Sequence, residues 1–192
     1  MSTAQPIKNL DELEKLKNYY LDIQPNLRNY LLIHVGINTA LRISDILSLK
    51  WNDVYNFQTK TFRKHIVLIE QKTGKESSIA INQSLHHALH FYIQSLGIPK
   101  PEYYLIHGKT PTAPLSRSQA FRIIKQASNK LHLSGYISCH SLRKTFGYHA
   151  WTSGVSPIML MVIYNHSSFA VTKRYLGIEQ DDKDQVFLNI NL

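Results

Sequence analysis

One short segment with β-strand patterning interrupts a chain whose hydrophobic spacing is otherwise helical, and this limits the folds open to it. Residues 65–70 (H-I-V-L-I-E) and 77–81 (S-S-I-A-I) flank the turn sequence Q-K-T-G-K, a pattern that predicts a hairpin. A further short strand near Val54 would complete a three-stranded sheet. Because so small a sheet is not stable alone, it must pack against helices or their ligand. We therefore expect a mainly α fold with a small antiparallel three-stranded β-sheet, in the α+β class.

Capping residues and apolar spacing place helices on both sides of this sheet. Asn9 and Glu12 form a capping pair for the first helix, and Pro25 suits the first turn of the second. Later helix starts are expected at Ser44, Asn82, Ser116, Ser141, Ser156 and Ser167-Ser168. No internal repeat, low-complexity run or linker divides the sequence, so residues 1–192 are expected to form one domain.

The charge of the chain indicates a polyanionic partner. Lysine and arginine number 22 against 13 acidic residues, which leaves a net charge of +9. Each phosphate that a basic surface neutralises releases counterions and adds to affinity, so nucleic acid is the expected partner. A basic surface kept for solubility is the plainer alternative. No apolar run is long enough to span a bilayer, no secretory signal opens the chain, and Cys139 is its one cysteine. These features predict a cytoplasmic protein.

The residues best suited to chemistry lie between positions 139 and 178. His140 and Arg143 stand three apart, and His166 precedes Tyr175 by nine residues, spacings that helices can bring to one face. Arginine has a planar fork that binds two phosphate oxygens and keeps its charge. The segment therefore predicts a site for chemistry at phosphate.

Residues elsewhere in the chain can complete this site. A phosphodiester attacked by a side chain needs cations on its non-bridging oxygens, a nucleophile in line and an acid for the leaving oxygen. Arg42 and Arg143 are the obvious pair of cations, and Tyr175 is a nucleophile if a base or nearby cations help to remove its proton. Lys72, at the tip of the predicted hairpin, could reach the substrate as general acid. Taken singly, each of these residues has a plainer interpretation as a packing or surface side chain.

In this combination the chain resembles the tyrosine recombinases, or phage integrase family, from about residue 9 to 180. The matching motifs are A-L-R-I-S-D-I-L-S-L-K-W around Arg42, Q-K-T-G-K around Lys72, H-S-L-R at 140–143, N-H-S-S at 165–168 and T-K-R-Y ending at Tyr175. Their order and spacing both agree with the family. The resemblance implies the tyrosine recombinase catalytic-domain fold.

The resemblance also implies how the site would work. Arg42 and Arg143 would hold the scissile phosphate, and Asp45 matches the position of an acidic residue that often supports the first arginine. Tyr175 would form a 3′-phosphotyrosyl bond, and the reaction would reverse with a different 5′ hydroxyl. Because bond energy is stored in that intermediate, the implied reaction needs neither a metal nor a nucleotide cofactor.

Three further roles follow from the same resemblance. Lys72 would protonate the leaving 5′ hydroxyl, and His140 would act as acid and base at the tyrosine. His166 would hydrogen-bond the phosphate.

The function implied is site-specific DNA recombination, the integration or excision of a prophage or other mobile element. A basic cleft would hold double-stranded DNA, each protomer would cut one strand, and a homotetramer on synapsed DNA would complete the exchange, with a monomer expected in the absence of DNA. Two alternatives stay open. A type IB topoisomerase would relax DNA without pairing two duplexes, and a non-catalytic DNA-binding regulator would keep the fold without the reaction.

Two features depart from the usual pattern of the family. Family members usually have Leu-Gly-His where this chain has Tyr164-Asn165-His166, although asparagine tolerates left-handed turns better than most residues. Only two short helices precede Arg42, so core-binding and arm-binding domains are expected to be absent. By resemblance, the tail from about residue 179 to 192 would dock on a neighbouring protomer or regulate assembly. Its apolar residues are Val186, Phe187, Leu188 and Ile190.

Two other motif interpretations fit less well. The strings S-x-x-K at 141–144 and K-T-G at 72–74 also occur in penicillin-binding enzymes, but here their order is reversed and no S-x-N element lies between them. His86, His87 and His90 have helical spacing, yet the H-E-x-x-H glutamate and an evident third ligand are lacking. We expect these histidines to form a solvated helix face.

Overall fold

The computed structural model describes residues 4–178 and, beyond them, residues 182, 184, 187, 188 and 190. Its helices are α1 (Leu10–Asp22), α2 (Leu27–Thr39), α3 (Ile43–Ser48), α4 (Trp51–Val54), α5 (Gln83–Leu96), α6 (Arg117–Lys130), α7 (Cys139–Thr152), α8 (Pro157–Tyr164) and α9 (Phe169–Leu176). Its strands are β1 (Tyr55–Asn56), β2 (Thr61–Phe62), β3 (His65–Ile69) and β4 (Glu76–Ala80). None of the helices described has both the length and the hydropathy that crossing a membrane requires.

Local capping determines most of the helix starts, as the sequence predicts. The side chain of Asn9 accepts a hydrogen bond from the backbone N–H of Glu12 at 3.0 Å, and that of Asn82 accepts one from Leu85 at 2.9 Å. Each bond satisfies an amide that the helix itself leaves unpaired. Helices α1 and α5 therefore begin directly after the expected caps.

Two early helix starts differ from the prediction. Helix α2 is capped by Asn26, whose side chain accepts a hydrogen bond from the backbone N–H of Asn29 at 3.0 Å. Pro25 lies just ahead of that cap, outside the first turn. Helix α3 has Arg42 rather than Ser44 at its N-cap, with no side-chain cap bond. The carbonyl of Arg42 accepts hydrogen bonds from the backbone N–H groups of Asp45 at 2.9 Å and Ile46 at 3.0 Å. The backbone of Arg42 therefore fixes where the helix begins.

Helix α7 starts earlier than expected, and this changes the position of a candidate residue. Ser138 is its N-cap, and the hydroxyl of Ser141 accepts the amide of Ser138 at 3.0 Å from inside the first turn. Ser141 therefore supports the helix start from within rather than preceding it. As a result His140 lies in the first turn of α7, where the helical backbone fixes its direction.

The prediction of a three-stranded sheet is wrong: the strands that the structure describes form two separate two-stranded antiparallel sheets. Strand β1 pairs with β2, and β3 pairs with β4 with His65 opposite Ala80. Val54, expected to lie in a strand, is the last residue of α4. The amide of Arg63 bonds to the carbonyl of Val54 at 2.9 Å, which ties the chain between β2 and β3 to α4. The two hairpins therefore share no common ladder.

Helix α2 lies at the centre of the main core. It packs against α1, α5 and α7, and its residues Leu31, Leu32 and Ile33 are fully buried, as expected of a helix surrounded by others. A Cβ at Gly36 would collide with the side chain of Leu142 on α7. Glycine therefore allows α2 and α7 to approach closely, which anchors the helix that carries two candidate residues.

Helices α8 and α9 pack on α7 through a smaller apolar cluster. Its buried residues include Leu160, Tyr164 and Leu176, and Tyr175 packs against it. At Gly147 on α7 a Cβ would overlap both the Tyr164 hydroxyl and the Leu176 side chain. The absence of a side chain there lets α8 and α9 lie close to α7, which brings the two halves of the 139–178 segment together.

Candidate active site

The residues predicted to carry the chemistry come from five separate parts of the fold. They lie at the N-cap of α3 (Arg42), in the turn between β3 and β4 (Lys72), in the first two turns of α7 (His140 and Arg143), between α8 and α9 (His166) and in the last turn of α9 (Tyr175). Both the β3–β4 hairpin and the helical segment 139–178 therefore carry candidate residues.

Electrostatic effects identify which of these residues are neighbours. The pKa of His140 is lowered by burial and then by the charges of Arg143, Lys144, Arg42 and Lys72. The pKa of His166 is lowered by burial and then by Arg143 and Arg42. The same two arginines oppose the rise that burial causes in the pKa of Tyr175. The charges of the two guanidinium groups thus act on His140, His166 and Tyr175, and the charge of Lys72 acts on His140.

Arg143 is the buried centre of the site. Its side chain is only 4% exposed, and its guanidinium donates to the carbonyl of Ala40 and, at 3.5 Å, to that of Tyr164. The guanidinium also lies 4.6 Å from the ring centroid of Tyr164, a cation–π contact. These contacts fix the fork between the end of α2 and the end of α8, so it is oriented before any substrate arrives.

Arg42 is held by a residue that the sequence analysis missed. Its Nη1 atom lies 2.5 Å from Oε2 of Glu70, whose side chain is buried. Glu70 also accepts hydrogen bonds from Ser77 at 2.8 Å and Thr73 at 3.2 Å. Burial raises the pKa of Glu70, but the bonds from Ser77 and Arg42 and the arginine charges outweigh it, so this pKa lies below its ordinary value. Glu70 is therefore an anion that orients Arg42.

The role implied for Asp45 needs correction. Its carboxylate is fully buried and its Oδ1 accepts the backbone N–H of Gln71 at 3.0 Å, so it holds the start of the hairpin turn. Its Oδ2 has no hydrogen-bond partner within the described part of the chain. Strand alternation hints at the position of Glu70: Ile66 and Leu68 share one face of β3, Ile66 is fully buried, and Glu70, just after the strand, continues that alternation.

His166 and Tyr175 lie against each other beside Tyr164. The ring centroids of His166 and Tyr175 are 5.2 Å apart, and those of Tyr164 and Tyr175 are 5.4 Å apart. The Nδ1 atom of His166 lies 3.0 Å from the hydroxyl of Thr172, which leaves the other ring nitrogen for a ligand. Burial raises the pKa of Tyr175, and the charge of Arg143 opposes that rise. The site therefore favours a neutral imidazole next to a phenol that faces two cations.

The unusual residue before His166 fits its position. Asn165 ends α8 with φ 54° and ψ 49°, in the left-handed region, which asparagine adopts more readily than other residues with a Cβ. Its Oδ1 also accepts a hydrogen bond from Nζ of Lys75 at 2.8 Å. Asn165 thus forms the turn and links it to the β3–β4 hairpin.

Lys72 and His140 are the accessible members of the site. Both residues are exposed at the surface, although the imidazole of His140 is partly buried, and the charge of Lys72 acts on that imidazole. The hairpin turn that carries Lys72 is held to α3, where the side chain of Gln71 donates to the carbonyl of Ser44 at 3.2 Å. A substrate lying over this surface would meet the ammonium group and the imidazole before the buried guanidinium.

The remaining motif interpretations lead elsewhere. Ser141 is fully buried and supports the start of α7, so its hydroxyl cannot reach a substrate as a nucleophile. His86, His87 and His90 are exposed along α5, and the described residues contain no histidine, cysteine or carboxylate group arranged to hold a metal ion.

The sequence of this chain is similar to those of known proteins. The family model described as "Phage integrase family" matches residues 9–181. The probable integrase/recombinase YoeC of Bacillus subtilis is 39% identical over 181 residues, which cover 94% of this chain and 93% of that protein. A tyrosine recombinase of Pseudothermotoga lettingae is 28% identical over 90% of this chain, but the match covers only 56% of that protein.

Solved structures share the fold. XerA recombinase is similar with a TM-score of 0.77 and 20% identity, covering 100% of this chain and 66% of that one. The post-cleavage complex of XerH site-specific recombinase with a palindromic difH substrate is similar with a TM-score of 0.72 and 17% identity, covering 96% of this chain and 53% of that one. This chain thus spans nearly all of YoeC but between half and two thirds of the other three proteins. By the extent of the family match and the identity to YoeC, the chain belongs to the phage integrase family.

Proposed function

We propose that this chain is the catalytic domain of a site-specific tyrosine recombinase, which cuts and rejoins double-stranded DNA through a 3′-phosphotyrosyl intermediate. The observation that carries the proposal is that Tyr175 packs against His166, with ring centroids 5.2 Å apart, and against Tyr164, on whose ring the buried guanidinium of Arg143 lies. The charges of Arg143 and Arg42 both act on Tyr175 and His166. Two guanidinium groups beside a tyrosine form a positively charged site that can bind an anionic phosphodiester.

The first step of the proposed reaction is attack on the scissile phosphate. The guanidinium groups of Arg42 and Arg143 bind its non-bridging oxygens, and His166 donates a further hydrogen bond. Burial and then the nearby cations lower the pKa of His140, so its imidazole is neutral and accepts the phenol proton of Tyr175. The Tyr175 oxygen then bonds to phosphorus as the bond to the 5′ oxygen breaks.

The second step completes the cleavage and allows it to be reversed. Lys72 gives a proton to the leaving 5′ oxygen, because its ammonium lies on the exposed side of the site, where the leaving strand would run. A 5′ hydroxyl from another strand then attacks the phosphotyrosine, Lys72 takes up its proton, and His140 returns a proton to Tyr175. Metal and nucleotide cofactors have no part in this sequence, since the intermediate conserves the energy of the broken bond.

The proposed partner is double-stranded DNA. A net charge of +9 and an active site built on two arginines favour a polyanion, and the similar XerH structure is a complex with its difH substrate. We assign integration or excision of a mobile element as the biological reaction, with a monomer in the absence of DNA and a homotetramer on synapsed DNA. Such a substrate places the protein in the cytoplasm.

In this proposal residues 1–192 form one catalytic domain whose tail, residues 179–192, serves assembly. Asp182 is buried and accepts bonds from Lys8 at 3.0 Å and Tyr148 at 2.7 Å, so the tail is anchored there. Beyond that anchor, Phe187, Leu188 and Ile190 are between 57% and 78% exposed, which suits burial against a neighbouring protomer. Val186 lies outside the described residues.

A covalent-trapping experiment tests the function. The probe is a pool of duplex DNA with a randomised core and a nick that lets the cleaved strand diffuse away, so the phosphotyrosine cannot be resealed. The wild-type protein should give an adduct that survives denaturing electrophoresis, and Tyr175→Phe should give none. Sequencing the captured DNA then supplies the target site.

Three other results would contradict the proposal. Failure of the wild-type protein to form an adduct, together with binding to DNA, would identify a non-catalytic regulator. Relaxation of supercoiled plasmid by the monomer without a specific site would identify a topoisomerase. An adduct that persists in Tyr175→Phe would exclude Tyr175 as the nucleophile.

A further inference from the structure

Lys144 faces the proposed nucleophile, although the family resemblance implies no role for it. Its Nζ atom lies 5.1 Å from the centroid of the Tyr175 ring, within the range of a cation–π contact. The side chain is half-buried, and this burial lowers its pKa. A lysine so placed is a fixed cation beside the phenol rather than a solvated surface charge.

A second contact holds this ammonium in place. Nζ of Lys144 donates to the backbone carbonyl of Ala4 at 2.7 Å. Ala4 belongs to residues 4–8, a segment without regular secondary structure that contacts α7 and that we call the N-terminal strap. The lysine therefore bridges the strap and the ring of Tyr175, with its charged group confined between a carbonyl dipole and an aromatic face.

The N-terminal strap is itself firmly docked. The amide of Gln5 donates to the carbonyl of Tyr136 at 3.1 Å, and that of Ile7 donates to the hydroxyl of Thr145 at 2.9 Å. The side chain of Ile7 is 1% exposed, so the strap is part of the core. The carbonyl of Ala4, which binds Lys144, is therefore held in a fixed position.

The groups facing Tyr175 come from several elements. Tyr164 packs against the ring from the end of α8. Among the cations and imidazoles, Arg143 comes from α7, Arg42 from the start of α3, and His166 from the turn between α8 and α9. These three residues lie where the substrate phosphate is expected, and in the proposed reaction they bind that phosphate. Lys144 differs from them because its ammonium is already engaged by the strap.

We propose that Lys144 is a positioning residue for Tyr175: held by the N-terminal strap, its ammonium fixes the ring and favours the phenolate that attacks phosphorus. This inference rests on the proposed recombinase function. A cation near the ring attracts the electron-rich phenolate more strongly than the phenol. It therefore acts on the step in which Tyr175 loses its proton.

Two substitutions of Lys144 separate its charge from its packing. Lys144→Met keeps an unbranched side chain but removes the ammonium, and Lys144→Arg keeps a cation that can lie over an aromatic ring. At saturating trapped DNA, Lys144→Met should form the adduct about tenfold more slowly, and Lys144→Arg should restore most of the rate. The rising limb of the rate against pH should move to higher pH in Lys144→Met. The dissociation constant for DNA should change little.

The titration of the phenol gives a readout that does not depend on catalysis. With tyrosine labelled at the Cζ carbon, the Tyr175 resonance can be assigned from the spectrum of Tyr175→Phe. The pKa of Tyr175 should be higher in Lys144→Met than in the wild type or Lys144→Arg. Thermal unfolding of each variant establishes that the fold is retained.

The possible failures are distinct. If the wild-type protein forms no adduct, the recombinase function is wrong and the inference falls with it. If the wild type is active but Lys144→Met keeps the same rate, pH profile and Tyr175 titration, the inference alone is overturned. A loss confined to DNA affinity would also overturn it, because Lys144 would then be a phosphate contact.

Discussion

The guanidinium of Arg42 and the carboxylate of Glu70 form a 2.5 Å ion pair that joins the start of α3 to the residue following β3. Their side chains are only 18% and 9% exposed, so the pair is poorly screened by solvent. Bonds from Ser77 and Thr73 to Glu70 hold the carboxylate in turn. The β3–β4 hairpin therefore does more than carry Lys72, because it also orients the first arginine of the site.

Glu70→Gln should impair catalysis more than DNA binding. The amide keeps the shape of the carboxylate but loses the charge that orients Arg42, and a misplaced catalytic group slows reaction by roughly ten- to a hundredfold. We expect a loss of this size in adduct formation at saturating DNA, measured in a single turnover. Glu76→Gln, at an exposed position in β4 of the same hairpin, is the matched control. Equal rates in the two variants would contradict the role of Glu70.

The same ion pair predicts an acid dependence of stability. The pKa of Glu70 in the folded protein lies below its ordinary value of 4.5, so its stabilising effect is complete above that pH and is lost as the pH falls through the lowered value. Urea unfolding between pH 7 and pH 3 should show this loss in the wild type and a smaller one in Glu70→Gln. At pH 7 the substitution should lower the free energy of unfolding by about 1–3 kcal/mol. If the free energy of unfolding fell equally with pH in the wild type and in Glu70→Gln, this would be evidence against the ion pair between Arg42 and Glu70.

His34 predicts a second acid dependence in a higher pH range. Its ring is buried against Tyr30, with centroids 4.2 Å apart, and its nitrogens have no hydrogen-bond partner among the described residues. Burial, followed by the charge of Lys17, lowers its pKa from 6.5 to about 4. The unfolded chain therefore binds the proton first, and stability falls as the pH drops from 6.5 towards 4.

Replacing His34 with leucine should remove this dependence. The full effect of the lowered pKa is about 3 kcal/mol, and it should disappear from the unfolding free energy measured between pH 7 and pH 4. His87→Gln, on the exposed face of α5, should leave the dependence intact. A wild-type stability that stays constant from pH 6.5 to pH 4 would refute the prediction.

Asn165 should tolerate glycine but not a β-branched residue. Its φ of 54° lies in the left-handed region, where a β-branched side chain is strained by roughly 1–2 kcal/mol. Asn165→Val should therefore lower stability and displace the neighbouring His166, which slows adduct formation. Asn165→Gly should fold normally. If the glycine variant were as unstable as the valine variant, the loss of stability would not come from the backbone conformation.

Local sequence determined much of this protein. The caps at Asn9 and Asn82 and the hairpin on either side of Q-K-T-G-K depend on residues close together in the chain, and the structure has each of them. The six candidate site residues were also identified from motifs, because their chemistry restricts which amino acids are suitable at those spacings. The structure gathers these side chains; their catalytic roles stay predictions.

Tertiary structure decided the rest, through contacts between residues far apart in the chain. Glu70 rather than Asp45 holds Arg42 across 28 positions, and Lys144 reaches the carbonyl of Ala4 across 140. The strands form two separate hairpins, and the bond from Arg63 to Val54 at the end of α4 continues the register of β1 and β2. Sequence periodicity indicates which side chains point inward, but which of them meet depends on how the helices and hairpins pack. Only the folded chain settles which carboxylate meets Arg42 and which cation lies beside Tyr175.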